Sequence, residues 1–173
     1  MLDPNRLPDY IDPLYRAAWA FCGSPHDADD LVQETFVKVL KRPRLIRDGN
    51  ELSYLMRALR NTYSTHYRVV ARHPTRELYD DDVVATDEST ISARELMEAI
   101  SSAPPLFRDA VIAVDVLGLS YREAARSLET VEATITSRLY RGRQHVARAL
   151  TDESGDLVTP CRRGRLPQQT SSC

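Results

Sequence analysis

Apolar residues recur every three or four positions along most of the chain, whereas the two-residue alternation of a half-buried strand is scarce. In the first half this spacing predicts three helices, at about residues 5–22, 27–42 and 50–72. Gly23 is expected to end the first of them, because glycine readily adopts the left-handed conformation that closes a helix. The residues predicted to face inward are, helix by helix, Tyr10, Leu14, Ala17, Ala18 and Phe21; Leu31, Phe36, Val39 and Leu40; and Leu52, Leu55, Met56, Leu59, Tyr63 and Tyr67.

The second half continues the helical pattern. Helices are predicted at about residues 90–101 and 104–117, followed by a closely spaced pair at 120–128 and 132–150. The short apolar stretch at 111–117 fits a buried helix as well as it fits a strand. Strand signals are otherwise sparse, so the predicted fold class is all-α.

The closely spaced pair of helices has the pattern of a helix-turn-helix. Ser120 is a suitable N-cap and Glu123 stands three residues later, which is the spacing of a capping box. One apolar face of the short first helix is predicted to hold Tyr121, Ala124, Ala125 and Leu128. The second helix carries polar and basic residues outside its apolar stripe, which can donate hydrogen bonds to phosphates and base edges. These residues are Thr134, Thr136, Ser137, Arg138, Arg141 and Arg143.

A plain helical hairpin with a solvated basic face is the ordinary alternative, and overall charge does not decide the question. The chain has 23 basic and 25 acidic residues and a formal net charge of −2, so any nucleic-acid surface must be local. The combination of a cap, a short turn and an arginine-rich second helix favours DNA binding.

The charges are separated into blocks along the chain. Residues 53–76 contain five arginines and no acidic residue, whereas residues 77–92 contain six acidic residues and no lysine or arginine. The acidic block lacks helical periodicity and predicts a flexible linker between two small helical domains. We therefore expect a first domain at 1–75, a linker at 76–91, a second domain at 92–151 and a disordered tail at 152–173.

Two segments carry a family resemblance. Residues 27–39, with the sequence DADDLVQETFVKV, resemble a helix of region 2 in bacterial sigma factors. Residues 118–143 resemble region 4 of the same family. A short chain with these two regions in this order is similar to the extracytoplasmic-function (ECF) class of sigma factor, over about residues 8–150.

The resemblance implies an alternative sigma factor that binds core RNA polymerase and directs promoter recognition, DNA melting and initiation. By position, contact with the β′ clamp helices would fall on Asp30, Gln33, Glu34 and Phe36. The loop at 43–50 and the helix after it would bind the melted minus-ten element. The helix at 132–150 would read the minus-35 element with the residues given above. The minus-ten candidates are Arg44, Asn50, Tyr54, Arg57, Arg60, Asn61 and Arg68.

Further partners follow from the resemblance alone: promoter DNA, the polymerase β flap and an inhibitory anti-sigma factor, with no cofactor. The chain also departs from the family pattern. Glu129, Val131 and Ala133 stand around the turn where the family mostly has Gly, Pro and Gly. Without glycine, a left-handed turn residue costs about 1 kcal/mol. Tyr54 stands in place of a tryptophan and Thr136 in place of a lysine.

Other classes of function receive less support. A stand-alone helix-turn-helix regulator with an N-terminal partner-binding module remains open, as does a protein that only docks on polymerase. His66 and His73 lie seven residues apart without neighbouring ligands, and no glycine-rich phosphate loop is present, so neither a metal site nor an enzyme is expected. Three cysteines without metal-ligand spacing, and the lack of a signal peptide or long apolar run, predict a cytoplasmic protein without membrane association.

Overall fold

The computed structural model describes residues 6–41, 51–70 and 92–152, with side chains described as far as 65 in the second range and 151 in the third. These ranges are almost entirely helical and contain no strand, which confirms the all-α fold class with two helical domains. The predicted acidic linker, the loop at 43–50 and the predicted disordered tail beyond 152 lie outside the described residues.

The first domain contains three helices: α1 (Pro8–Cys22), α2 (Pro25–Lys41) and α3 (Glu51–Val70). Helix α1 ends as predicted at Gly23, which has a φ of 73° and donates its N–H to the Trp19 carbonyl at 2.7 Å. Helix α2 begins two residues earlier than expected. Proline lacks the N–H that a first turn leaves unpaired, so Pro25 suits the first position of a helix.

The second domain contains α4 (Ala93–Ser101), α5 (Pro105–Val111), α6 (Tyr121–Ser127) and α7 (Glu132–Asp152). A π-helical turn at Ile112–Val116 continues directly from α5. Helix α4 begins three residues later than predicted, because Ser92 and Glu95 form a reciprocal capping box at its N-terminus.

The helix-turn-helix consists of α6 and α7. The predicted capping box is present: Ser120 Oγ accepts from the Glu123 N–H at 3.3 Å, and Glu123 Oε2 accepts from the Ser120 N–H at 2.9 Å. The turn between the helices places Glu129 at a φ of 55°, so a residue with a side chain adopts the left-handed conformation. Thr130 then donates its N–H to the Ala125 carbonyl at 2.9 Å, which closes the turn.

Two side chains predicted to face inward are exposed instead. Leu40 is 49% exposed because the buried stripe of α2 runs through Thr35 and Val39, one position away on the helix. Thr35 tolerates burial because its hydroxyl donates to the Leu31 carbonyl at 2.7 Å. Tyr121 is 40% exposed, since it stands at the first position of α6, where Ala124 and Ala125 form the buried face.

A single apolar core extends through both domains. Helix α1 packs against α4 and the π-helical turn, and α3 packs against α6. The approach is close at Gly23, where an added Cβ would lie 2.7 Å from Ser101 Oγ. The helix-turn-helix is thus held against the first domain, and this packing determines which surfaces remain available.

Candidate nucleic-acid and partner interfaces

Helix α7 presents its outer face to solvent. Ile135 and Leu139 are buried against the rest of the second domain, and Gly142 is buried where α5 crosses. The residues a half-turn away are therefore exposed. Among the candidates for minus-35 recognition, Thr136, Ser137 and Arg141 lie in this exposed group. This face has the form required of a helix that enters the major groove.

Tyr140 and Gln144 lie on the same face and were not among the residues predicted to bind DNA. Tyr140 is 65% exposed, and its hydroxyl accepts a hydrogen bond from Gln144 Nε2 at 2.9 Å. Their spacing of three to seven residues from Ser137 could have identified them, since positions i, i+3 and i+7 share a helix face. The predicted set held only threonine, serine and arginine, although a glutamine amide can pair with adenine through two hydrogen bonds.

The other predicted residues of α7 lie at the edges of this face. Arg143 makes a two-pronged ion pair with Asp115, with Nε to Oδ2 at 3.0 Å and Nη2 to Oδ1 at 2.6 Å. Thr134 and Arg138 are half-buried on the opposite edge. Arg143 is therefore held within its own domain, and the central positions of the face belong to residues 136, 137, 140, 141 and 144.

A basic cluster continues the outer face towards the end of α7. The Arg141 guanidinium lies over the Phe107 ring at 5.8 Å, and Arg141, His145 and Arg148 line a shallow depression beside Pro104. His145 Nε2 lies 3.1 Å from Ser102 Oγ. This cluster extends the positive charge along one side of the helix, as expected where a helix follows a phosphate backbone.

Helix α3 holds the predicted minus-ten residues that the structure describes. Asn61 and Arg57 are exposed, whereas Tyr54 and Arg60 are half-buried. Tyr54 packs against the core rather than projecting fully into solvent. Arg44, Asn50 and the Arg68 side chain lie outside the described residues.

Both of these arginines contact the second domain. Arg60 Nε lies 2.5 Å from Asp109 Oδ2, and Arg57 forms an ion pair with Glu129 in the helix-turn-helix turn. Ser53, one turn earlier on α3, donates its hydroxyl to the Glu123 carbonyl at 3.0 Å. The face of α3 expected to hold single-stranded DNA therefore adjoins the helix-turn-helix.

Helix α2 carries the predicted polymerase contacts on its outer side. Asp30 and Gln33 are exposed, and Glu34 forms an ion pair with Lys38 at 2.6 Å, four residues along the helix. Phe36 is half-buried and packs against the core. The polar members are thus accessible to a partner, while Phe36 contributes mainly to the packing of the domain.

An apolar groove of about 400 Å³ lies at the junction of the two domains. Met97, Ile100, Val111 and Val146 contribute to its lining. Arg16 of α1 lines the groove from the first domain, so both domains contribute to its wall.

The described ranges contain neither a cluster of metal ligands nor a membrane-spanning helix. Among residues 6–41, 51–70 and 92–152, no three His, Cys, Asp or Glu side chains are grouped so that they could hold a metal ion. None of the helices in these ranges is long and apolar enough to cross a membrane.

The fold and these surfaces define a two-domain helical protein whose second domain is a DNA-binding helix-turn-helix. The family descriptions "Sigma-70 region 2" and "Sigma-70, region 4" match residues 9–73 and 93–146. The chain belongs to the ECF RNA polymerase sigma factor family. This confirms the sequence-based prediction of an alternative sigma factor and favours it over the stand-alone regulator.

Named relatives support this assignment. The chain is 32% identical over 166 residues to "ECF RNA polymerase sigma factor SigE" of Mycolicibacterium smegmatis, covering 86% of this chain and 62% of that protein. It is also 32% identical to "ECF RNA polymerase sigma factor EcfG" of Rhodopseudomonas palustris, covering 86% of this chain and 85% of the relative. It therefore spans somewhat less than two thirds of the longer relative and most of the shorter one.

Solved structures share the fold at lower sequence identity. The sigma factor RpoE of Bartonella quintana, in complex with the anti-sigma factor NepR, superposes with a TM-score of 0.68 at 22% identity, covering 86% of this chain and 98% of that one. CnrH, in complex with the cytosolic domain of CnrY, superposes with a TM-score of 0.63 at 21% identity, covering 85% and 86%.

Proposed function

We propose that this sigma factor uses α7 to read the minus-35 promoter element, α3 to hold the melted minus-ten strand and α2 to bind core RNA polymerase. The observation that carries the proposal is the outer face of α7. It combines hydroxyl, amide and guanidinium groups on one exposed surface, backed by a buried apolar stripe.

On α7, we expect some residues to contact bases and neighbouring residues to contact phosphates. Ser137 and Gln144 can hydrogen-bond base edges, and the Tyr140 ring can contact a thymine methyl group. Arg141 and Arg148 stand beside them, where guanidinium groups would hold the phosphates that fix the register of the helix. Contacts of Arg143 with DNA would first require it to leave Asp115.

On α3, Arg57 and Arg60 would neutralise phosphates of the unpaired strand, and the exposed Asn61 amide would hydrogen-bond a base. On α2, Asp30, Gln33 and Glu34 would make polar contacts with the β′ clamp helices. Contact of the second domain with the β flap is part of the same proposal. These roles follow from position in the family motif together with exposure in this structure.

An anti-sigma factor is the expected inhibitor. The RpoE structure of similar fold is a complex with the anti-sigma factor NepR, and the groove between the two domains offers an apolar surface to which an inhibitor helix could bind. We further propose that the protein acts in the cytoplasm as a transcription factor, without catalytic activity or cofactor of its own.

The test is transcription with the purified chain, sigma-free bacterial core polymerase and a pool of genomic fragments from the source organism. Discrete start sites that share two upstream elements would support the proposal. Arg141→Ala should weaken initiation from all of these promoters alike and should lower the salt dependence of DNA binding by about one phosphate contact. Arg94→Ala removes the same charge from α4, outside the outer face of α7, and serves as the matched control.

Two results would contradict the proposal. If the chain neither bound core polymerase nor started transcripts but shifted duplex DNA by itself, it would act as a stand-alone regulator. If it bound polymerase and gave no promoter-specific start, it would be a docking protein only.

A further inference from the structure

We propose that the second domain acts as an intramolecular inhibitor of the first by engaging the arginines that would hold minus-ten DNA. This inference rests on the proposed function of α3. Four separate contacts between the two domains support it, and each is formed within this one chain.

The first contact joins Arg60 to Asp109. The Arg60 Nε atom lies 2.5 Å from Asp109 Oδ2, and the Asp109 side chain is only 7% exposed. A carboxylate buried this far needs a cation beside it, because an unpaired buried charge is strongly unfavourable. Arg60 is therefore held by an acceptor on α5 in the position where a DNA phosphate would otherwise bind.

The second and third contacts lie along the same face of α3. Arg57 pairs with Glu129, and Ser53 donates its hydroxyl to the Glu123 carbonyl at 3.0 Å. Glu129 is the turn residue with the strained left-handed backbone. A glycine there would relieve the strain and remove the carboxylate that binds Arg57.

The fourth contact is built around Arg108. This second-domain residue is 8% exposed, and its guanidinium lies over the rings of Phe21 and Tyr63, at 5.3 Å and 4.7 Å from their centroids. Burial strengthens such cation–π contacts. The closed arrangement is thus supported by packing as well as by exchangeable ion pairs.

The geometry implies competition between domain closure and DNA. Arg57 pairs with Glu129 through Nη2 alone and Arg60 pairs with Asp109 through Nε alone, so each guanidinium keeps other donors. The two carboxylates nevertheless repel a phosphate that approaches the same arginines. Weakening the ion pairs should therefore increase promoter activity. When only open chains can bind a ligand, the apparent affinity equals the intrinsic affinity multiplied by the fraction of chains that are open.

Closure can be measured without DNA or polymerase. The chain contains two lysines, Lys38 and Lys41, so carbodiimide coupling of lysine to carboxylate has a low background. In the full-length Arg57→Lys variant, the new amine should couple to Glu129, giving a cross-linked peptide that mass spectrometry identifies. The double variant Arg57→Lys with Glu129→Gln should not give it. Failure of a folded Arg57→Lys chain to form this link would overturn the closed state.

The functional consequence needs variants outside the proposed DNA-binding surface. Glu129→Gln should raise initiation by about twofold to fivefold at limiting chain concentration, the range expected for one exposed ion pair. Asp109→Asn acts on a buried pair and should raise initiation at least as much. Glu98→Gln breaks the Arg94–Glu98 pair within α4 and should leave initiation unchanged. Glu129 is exposed, so its variant keeps the test informative if Asp109→Asn fails to fold. Unchanged initiation with a well-folded Glu129→Gln chain would contradict the inhibition.

The two proposals fail in different ways. A cross-link at 57–129 without any transcript from the unmodified chain would retain closure and reject the proposed promoter function. Transcripts from the unmodified chain without the cross-link would retain the sigma-factor function and reject closure.

Discussion

Arg108 and Tyr63 are joined across the domain boundary: Arg108 Nη1 donates a hydrogen bond to the Tyr63 hydroxyl at 3.2 Å, and the guanidinium lies over the same ring. Tyr63 belongs to α3 and Arg108 to α5. A charged residue of the second domain is therefore stabilised by an aromatic residue of the first.

Replacing Tyr63 by phenylalanine should destabilise the chain. The variant keeps the ring under the guanidinium and removes only the acceptor, and a hydrogen bond to a charged group contributes about 1.5–3 kcal/mol. We expect a loss of about 1–2 kcal/mol in the free energy of unfolding, measured by urea denaturation. Tyr140→Phe removes a hydroxyl that is bonded at the surface and should change stability by less than about 0.5 kcal/mol. Equal effects of the two variants would argue against a special role for the Arg108 contact.

Gly142 lies where α5 and α7 approach each other closely. A Cβ there would lie 2.5 Å from Val111 Cγ2 and 2.9 Å from the Phe107 carbonyl oxygen. Gly142→Ala should therefore lower the free energy of unfolding by about 1–3 kcal/mol, although alanine favours the helix by about 1 kcal/mol.

Gly118→Ala is the informative comparison for that measurement. Gly118 has a φ of 69° and no atom within 4 Å of an added Cβ, so only backbone strain of about 1 kcal/mol is expected. A stabilising Gly142→Ala substitution would show that α5 and α7 are packed less closely than described.

The capping box of α6 predicts a pH dependence. Hydrogen bonds from Ser120 lower the pKa of the Glu123 carboxyl below its ordinary value of 4.5. A carboxyl whose pKa is lower in the folded chain than in the unfolded chain stabilises the fold at pH values above its unfolded pKa. This contribution is lost as the pH falls through the folded pKa. Wild type should thus exceed Glu123→Gln in unfolding free energy at neutral pH, by about 0.3–1 kcal/mol for an acidic group at a helix start.

The comparison of those two proteins is made by urea denaturation at neutral pH and at about pH 3. The difference between them should shrink or reverse at the lower pH, because glutamine resembles the protonated acid. A difference that stayed constant over this interval would show that the carboxylate charge does not stabilise the cap.

Cys22 should resist alkylation in the folded chain. Burial raises the pKa of its thiol from 9.0 to about 12, with nearby Asp27 adding to the effect. The thiolate is the reactive species, so its reaction with iodoacetamide near pH 8 should be at least a hundredfold slower than in the urea-unfolded chain. Mass spectrometry of the Cys22 peptide gives both rates, and comparable rates would mean that α1 opens readily at its C-terminus.

Local signals in the sequence were sufficient to predict the helices and several of their ends. The capping box at Ser120 and the stop at Gly23 each depend on neighbouring residues, and both are present. Helical periodicity was less reliable at Leu40. An apolar residue beside the buried stripe differs by only one position from a residue within it, so the spacing does not separate Leu40 from the buried Val39.

The relation between the domains could not be read from the sequence. Arg57 and Arg60 had the appearance of free phosphate ligands, since their partners Glu129 and Asp109 lie 72 and 49 residues away. Arg108 was not singled out, because a buried arginine is recognised only by the rings that surround it. Long-range pairing of this kind depends on tertiary packing, for which one sequence carries no direct signal.

The π-helical turn at Ile112–Val116 also bears on how this chain compares with its relatives. Its hydrogen bond from the Leu117 N–H to the Ile112 carbonyl, at 3.0 Å, spans one residue more than an α-helical bond. A helix can absorb a single inserted residue in this way while the segments on either side keep their own registers. An alignment with a relative that continues as a regular α-helix should therefore place a one-residue gap inside the helix. Without that gap, every helix-turn-helix residue of this chain would be matched to the wrong residue of the relative, displaced by one position.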